Sequence, residues 1–155
     1  MKLNQFQQNL LDYLPFISDI SILAIDPASG GTSNIGWAIY TKGKLQESGE
    51  IKIKHGPIQQ RLNDLFKAFS EFDWGKDKLV VIEKVRSGQN SHIYLTWAVA
   101  VILAALNNGL FIEISSPIWR KYKPENYVKS DRGDAELIGH AFFQEAKKLE
   151  KDLSL

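Results

Sequence analysis

Four carboxylates in this chain stand where a fold could hold them rigidly. Glu83 ends the apolar run Leu79-Val80-Val81-Ile82, and Asp26 ends the run Ile22-Leu23-Ala24-Ile25. Asp131 and Asp134 are three residues apart at the head of a long periodic segment. An acid at a strand end has a plain explanation, because strands end in water. It has a chemical one too, since ligands in an open sheet gather at the carboxyl ends of parallel strands. Were the two apolar runs parallel neighbours, Asp26 and Glu83 would project from one edge. On a helix, Asp131 and Asp134 would have Cβ atoms ~5–6 Å apart on one face; the same spacing also fits a capping box, and both acids suit the helix dipole. Together the four form an all-oxygen set of the kind that suits Mg²⁺ or Mn²⁺. Two such ions ~3.5–4 Å apart can activate water and stabilise the leaving oxygen in phosphodiester hydrolysis. Without cations, carboxylates so clustered would repel one another and some would take up protons.

The elements that must position these acids follow from periodicity. Leu3, Phe6, Leu10, Leu11 and Leu14 recur at helical spacing before Pro15, which predicts an amphipathic helix docked on the domain or on a second copy. Strands are expected at Ile20 to Ile25, Asn34 to Tyr40 and Leu45 to Ile53, the last two joined by a turn at Lys42-Gly43-Lys44. Pro57 opens a helix with Ile58, Leu62, Leu65, Phe66 and Phe69 on one face. Leu79 to Glu83 is a fourth strand, Ile93 to Leu106 a long apolar helix ended by Asn107-Asn108-Gly109, and Leu110 to Ser115 a fifth strand. A last helix starts near Ser130 and runs into Lys147-Lys148. The order β-β-β-α-β-α-β-α predicts an α/β fold, a mixed five-stranded sheet with helices on both faces. Residues 1–19 form a helical extension, 20–148 the domain, and 149–155 a frayed tail.

Composition bounds the class. The 155 residues suffice for one domain with a real core, and 44% apolar with 24% charged residues is ordinary for a globular protein. No apolar run reaches the ~18 residues that span a bilayer, and the N-terminus lacks a secretory signal pattern. The absence of cysteine rules out disulfides and thiolate metal sites and suits the cytoplasm. A net charge of +1 says nothing of nucleic acid, but Arg120, Lys121, Lys123, Lys129 and Arg132 make a local basic segment that could face phosphates.

The acids and their order resemble the RuvC-type Holliday junction resolvases of the ribonuclease H-like superfamily. The matching pieces are Ile25-Asp26-Pro27 with Gly36 downstream, Arg61-Leu62, Ile82-Glu83 followed by Asn90-Ser91, and Asp131-x-x-Asp134-Ala135. The resemblance implies a ribonuclease H-like fold and a homodimeric, Mg²⁺-dependent endonuclease that nicks four-way DNA junctions symmetrically. Asp26, Glu83, Asp131 and Asp134 would hold two ions, with Mn²⁺ able to substitute. Lys121, Lys123 and Lys129 would help stabilise charge in the transition state, and Arg120 more weakly. Arg86, Ser87, Gln89, Asn90, Arg120, Lys121, Tyr122 and Lys123 would meet DNA. Neither a membrane nor a small-molecule cofactor is implied. Departures are visible: Ala28 replaces the family's glycine, Arg86 its aromatic wedge, and Leu95-Thr96-Trp97-Ala98 its small-residue signature. They point to a divergent member, of a phage or organelle type.

Other readings compete. The loop Asp26 to Thr32 could cradle a nucleotide phosphate as in actin-like kinases, although those need two such domains. The same fold could cut RNA or RNA–DNA hybrids, or the chain could bind junctions without cutting. Glu136 and His140 could share a metal, but a solvated helix pair is the better reading. His92, near Glu83, could touch DNA. Trp119 and Tyr122, flanked by basic residues, could stack on bases, Trp97 belongs to a core or dimer contact, and Glu113 is structural or solvent-facing.

Overall fold

The computed structural model describes residues 2–27, 34–75, 78–85, 92–107 and 110–154. Five strands form one sheet: β1 (Ser21–Asp26), β2 (Asn34–Thr41), β3 (Lys44–Lys52), β4 (Leu79–Glu83) and β5 (Phe111–Ile114). Their order is β3-β2-β1-β4-β5. The meander β1-β2-β3 pairs antiparallel, while β1–β4 and β4–β5 are parallel. The helices are α1 (Gln5–Leu11), α2 (Ile58–Glu71), α3 (His92–Leu106), α4 (Ser116–Arg120) and α5 (Asp131–Asp152).

Both faces of the central strands are covered, and the strand period of two divides their side chains between two cores. Ile22 and Ala24 of β1, Leu79 and Val81 of β4, and Ala38 and Tyr40 of β2 face α5. Leu23, Ile25, Val80, Ile82, Ile35 and Trp37 face the opposite layer, built from α2 and α3. The alternation reaches the ends of the strands, so Asp26 and Glu83 belong to the α5 face.

Helix α5 lies unusually close to the sheet. A Cβ added at Gly139 would sit 2.2 Å from Cε2 of Tyr40, so α5 rests on the ring of β2 through a bare backbone position. The Tyr40 hydroxyl then donates to the Glu136 carbonyl at 2.6 Å. Burial first, and the charge of Glu136 second, push the Tyr40 phenol up to about 12.

The N-terminal segment docks on its own domain. Asn4 and Gln7 form a reciprocal capping box that starts α1, with side-chain bonds of 2.8 and 2.9 Å. Pro15 breaks the helix, and a single 3₁₀ turn, Leu14–Phe16, follows. Phe6, Leu10 and Leu14 are buried with Ile114, Trp119 and Leu149. The apolar side of this helix is therefore spent within the chain rather than left for a second copy, because β5 needs a cover that α5 does not reach far enough to supply.

Three further differences from the sequence reading are physical. The connection after β5 contains α4, whose start at Ser115-Ser116-Pro117 carries the usual N-terminal proline. The segment from 149 does not fray at once, because α5 continues to Asp152 and buries Leu149 against the α1 layer. Trp97 is 49% exposed and so lies outside the core, since only one side of the uniformly apolar α3 meets the sheet and α2, which leaves the dimer contact of the sequence reading. No helix among the described residues is long and apolar enough to cross a membrane.

Gly139→Ala gains roughly 1 kcal/mol of helix propensity, yet the overlap with the buried Tyr40 ring should leave the variant less stable by about 1–3 kcal/mol. Urea unfolding measures it, and a variant as stable as the parent would contradict this seating of α5.

Candidate active site

The sheet sets the first two acids. Ile25 is registered with Ile82 across the parallel pair β1–β4, so the next residues, Asp26 and Glu83, end adjacent strands ~4.8 Å apart. Each backbone is clamped from a further side: Asp26 is paired with Gly36 of β2, and Glu83 with Ile114 of β5. Asp26 is only 6% exposed, and Glu83 is half-buried.

Helix α5 brings the other two acids over that edge. Its N-cap is Ser130, whose hydroxyl accepts from the Gly133 N–H at 2.9 Å, while the Asp134 N–H donates to the Ser130 carbonyl at 2.8 Å. Asp131 is thus the first helical residue and not the cap; the capping-box reading of the pair does not hold, since serine already fills that role. A Cβ on Gly36 would lie 1.8 Å from the Asp131 carbonyl oxygen. Only a residue without a side chain lets the N-terminus of α5 settle on β2 directly beside Asp26. Ser48 on β3 donates to Glu136 at 2.5 Å and accepts from the Arg132 guanidinium at 2.8 Å, which anchors the same turn laterally.

The charges in this cluster feel one another. Burial, then the neighbouring charges of Glu50 and Asp134, raise the Asp131 carboxyl above its ordinary value, with Lys129 pulling the other way. Asp134 is 4% exposed and accepts a short hydrogen bond from the Tyr127 hydroxyl. Burial and that bond, followed by the more distant charge of Asp26, hold the Tyr127 phenol well above the usual tyrosine range. Glu83 accepts from the Trp119 indole N–H at 2.6 Å.

Glu50 and Tyr127 escaped sequence reasoning. Glu50 lies on β3 opposite Gly36 and accepts from the Arg132 backbone N–H at 3.3 Å. Its place in the pairing register was the available signal. Tyr127 sits in an irregular connector that no periodicity identifies. Trp119, a candidate for stacking on bases, is 1% exposed, so its ring is core and only its N–H reaches Glu83.

The basic candidates separate. Lys121 pairs with Glu145 at 2.6 Å, eleven residues along α5 from Asp134. That is about 16 Å down the helix axis, which removes Lys121 from the carboxylates. Lys123 stands 5.4 Å from the centre of the Tyr127 ring, and Lys129 acts on Asp131. Arg120 lies over Trp119 at 5.3 Å, and Tyr122 meets His140 edge-on at 5.8 Å. Glu136 is engaged by Ser48 and Arg132, while His140 and Glu113 are exposed. Arg86, Ser87, Gln89 and Asn90, the residues 28–33 of the loop after Asp26, and the side chain of His92 lie outside the described residues.

The donor set is oxygen alone, as Mg²⁺ and Mn²⁺ prefer, and the repulsion recorded at Asp131 is what a bound cation would relieve. The residues fit such an ion in kind. Among the described residues, no three of these side chains yet close around a single ion.

No protein-family model matches this sequence, and no curated protein matches it. Solved structures do match. The structure of T. thermophilus RuvC in complex with Holliday junction substrate superposes with a TM-score of 0.60 at 15% identity, over 83% of this chain and 94% of that one. A second Thermus thermophilus RuvC structure gives 0.59 at 15% identity, over 83% and 95%. The fold is RuvC-like. At this identity the likeness concerns the path of the chain: the mixed sheet with helices on both faces is common to both.

The raised carboxyl of Asp131 predicts a pH dependence. Folding makes this group hold its proton more tightly, so its penalty is absent in acid and grows as pH rises through the folded value. Asp131→Asn should therefore gain stability relative to the parent as pH goes from about 3 to 7 in EDTA. Paired denaturation curves across that range test it; a difference that runs the other way would mean Asp131 is stabilised by its surroundings.

Proposed function

We propose that this chain is a metal-dependent endonuclease that resolves four-way DNA junctions by paired nicks. The observation that carries the reading is that Asp26 and Glu83 end parallel neighbours, while α5, with Asp131 and Asp134 in its first turn, rests its Asp131 carbonyl on Gly36, the sheet partner of Asp26. That this occurs on a RuvC-like fold, one of whose structures is a complex with Holliday junction substrate, supports the choice of substrate.

Asp26, Glu83, Asp131 and Asp134 would hold two Mg²⁺ ions, and Mn²⁺ would substitute. Bound Mg²⁺ supplies positive charge that polarises the scissile phosphate and acidifies the attacking water. The protein's part is placement. Asp26 and Glu83 are fixed by backbone pairing on both sides, which leaves only their side-chain torsions to be set. Lys123 and Lys129 lie on the connector that leads into α5, beside Tyr127 and Asp131, and offer cations to the backbone phosphates flanking the cut. Because Lys121 is tied to Glu145, charge stabilisation is assigned to Lys123 and Lys129. Paired nicks need two such sites, so the acting species is a homodimer on branched DNA, working in the cytoplasm of a bacterial or phage-infected cell, or in an organelle if the chain is eukaryotic.

A synthetic four-way junction and a linear duplex of the same sequence, each incubated with protein and Mg²⁺, test the reading. Opposed nicks in the junction should vanish in EDTA. Asp26→Asn and Glu83→Gln should lower the rate by more than the ~10–100-fold that losing a ligand's outer partner costs. Preferential cutting of RNA–DNA hybrids would keep the site and change the substrate. Tight junction binding with no cleavage in either metal would overturn the enzyme.

A further inference from the structure

A polar cleft of about 330 Å³ lies between α1 and the β4–β5 rim of the sheet, and none of the four acids lines it. One wall is the exposed side of α1, with Asn4, Gln5 and Asn9. The other is the rim of the sheet, with Lys84 and Glu113, and Phe6 and Ile118 supply an apolar part. Lys84 follows Glu83 directly, and Glu113 is registered with Ile82, so the cleft begins beside the end of β4. The hydrogen bonds already made there leave a defined remainder. Asn4 Oδ1 accepts from the Gln7 N–H at 2.8 Å, which leaves the Asn4 amide NH₂ to donate. Gln5 donates to Oδ1 of Asn9 at 2.9 Å, so Gln5 keeps an acceptor oxygen and Asn9 a donor NH₂, side by side. Among the described residues, neither Lys84 nor Glu113 forms an ion pair.

One cation, one carboxylate and an amide donor beside an amide acceptor suit a ligand with a phosphate at one end and mixed donors and acceptors at the other. A nucleotide has that pattern. Lysine meets the phosphate, amide side chains pair with base edges, and a carboxylate accepts from an exocyclic amine. The volume is at the small end for ligand sites and admits one nucleotide, not a duplex. The base must therefore be unpaired, and extruding it costs least where pairing is already broken, as at a branch point. The two acceptors, Gln5 and Glu113, need two N–H groups from the ligand. An exocyclic amine carries two, whereas thymine offers a single ring N–H.

Resting on the nuclease reading above, we propose that this cleft takes one unpaired nucleotide of the branched DNA and favours an amine-bearing base over thymine. Lys84 meets its phosphate, while Gln5, Asn9 and Glu113 meet its base. The N-terminal extension is then a specificity element as well as a cover for β5. Its apolar side packs on the domain, and its amide side faces the strand that passes the acids.

The test uses the full chain and a four-way junction with one unpaired nucleotide at the branch, made in four versions that differ only in that base. Binding is measured in EDTA, so the readout does not depend on cutting. The three amine-bearing versions should bind about tenfold more tightly than the thymine version. Gln5→Ala combined with Asn9→Ala should bring all four within about twofold. Lys84→Ala should weaken all four alike, because a phosphate contact carries no sequence information. Gln8→Ala removes an exposed amide of the same helix outside the cleft and should keep the parent's ranking. Asn4 stays unchanged in these variants, since it caps α1. A parent indifferent to the base, a preference for thymine, or a Gln5→Ala/Asn9→Ala variant with the parent's ranking would overturn the cleft's role. Nicks in Mg²⁺ alongside any of those results would leave the nuclease reading standing. No junction binding in EDTA and no nicks in Mg²⁺ would overturn both.

Discussion

The molecule turns on the contact of α5 with β2. Two positions without side chains make it possible, one on each partner: Gly36 on the strand accepts the carbonyl of Asp131, and Gly139 on the helix accepts the ring of Tyr40. They lie at the two ends of the interface, so they fix both the height and the tilt of the helix. Each neighbour then falls into place. Glu136 reaches Ser48, Arg132 reaches β3, and the first turn of α5 rests beside the strand end that carries Asp26. Moving the helix outward by the thickness of a methyl group would leave the apolar layer largely intact, but it would separate the helical acids from the sheet acids.

That arrangement concentrates negative charge where water is scarce, a placement that a fold needs a reason to tolerate. The chain softens it with dipoles as well as with the charge of Lys129 near Asp131. Trp119 and Tyr127 donate to two of the carboxylates, and the N-terminus of α5 presents its positive end to Asp131 and Asp134. Lys121 is committed to Glu145. Neutral donors stabilise an anion without cancelling it, so the cluster keeps the charge that would attract a cation. The upward shift at Asp131 comes from burial first, and then from the repulsion of Glu50 and Asp134 that is left over.

The N-terminal helix belongs to the same economy of covering. A parallel pair such as β4–β5 must be buried on both faces, and α5 lies mainly over β1 and β2. Phe6, Leu10 and Leu14 close the layer beneath β5, where they meet Trp119. The extension thus supports the tryptophan whose N–H holds Glu83, which links the first residues of the chain to the proposed site through packing alone.

The sequence by itself determined the local elements and the acids at their ends. Apolar runs of period two and stripes of period 3.6 are written directly in residue order, and the strand-end positions of Asp26 and Glu83 follow from where those runs stop. Even their common face was implicit, because alternation carries Ile22, Ala24 and Asp26 to one side. Tertiary structure alone decided what surrounds them. Trp119 looked like a nucleic-acid surface because its neighbours are basic, but burial depends on what covers a residue, and α1 and α5 come from distant parts of the chain. Lys121 looked catalytic by proximity in sequence, and an ion pair with Glu145 drew it away. Glu50 and Tyr127 became part of the site through cross-strand register and a connector turn. Neither leaves a periodic trace, because contacts between segments far apart in sequence are set by how the layers stack and not by the order of residues within any one of them.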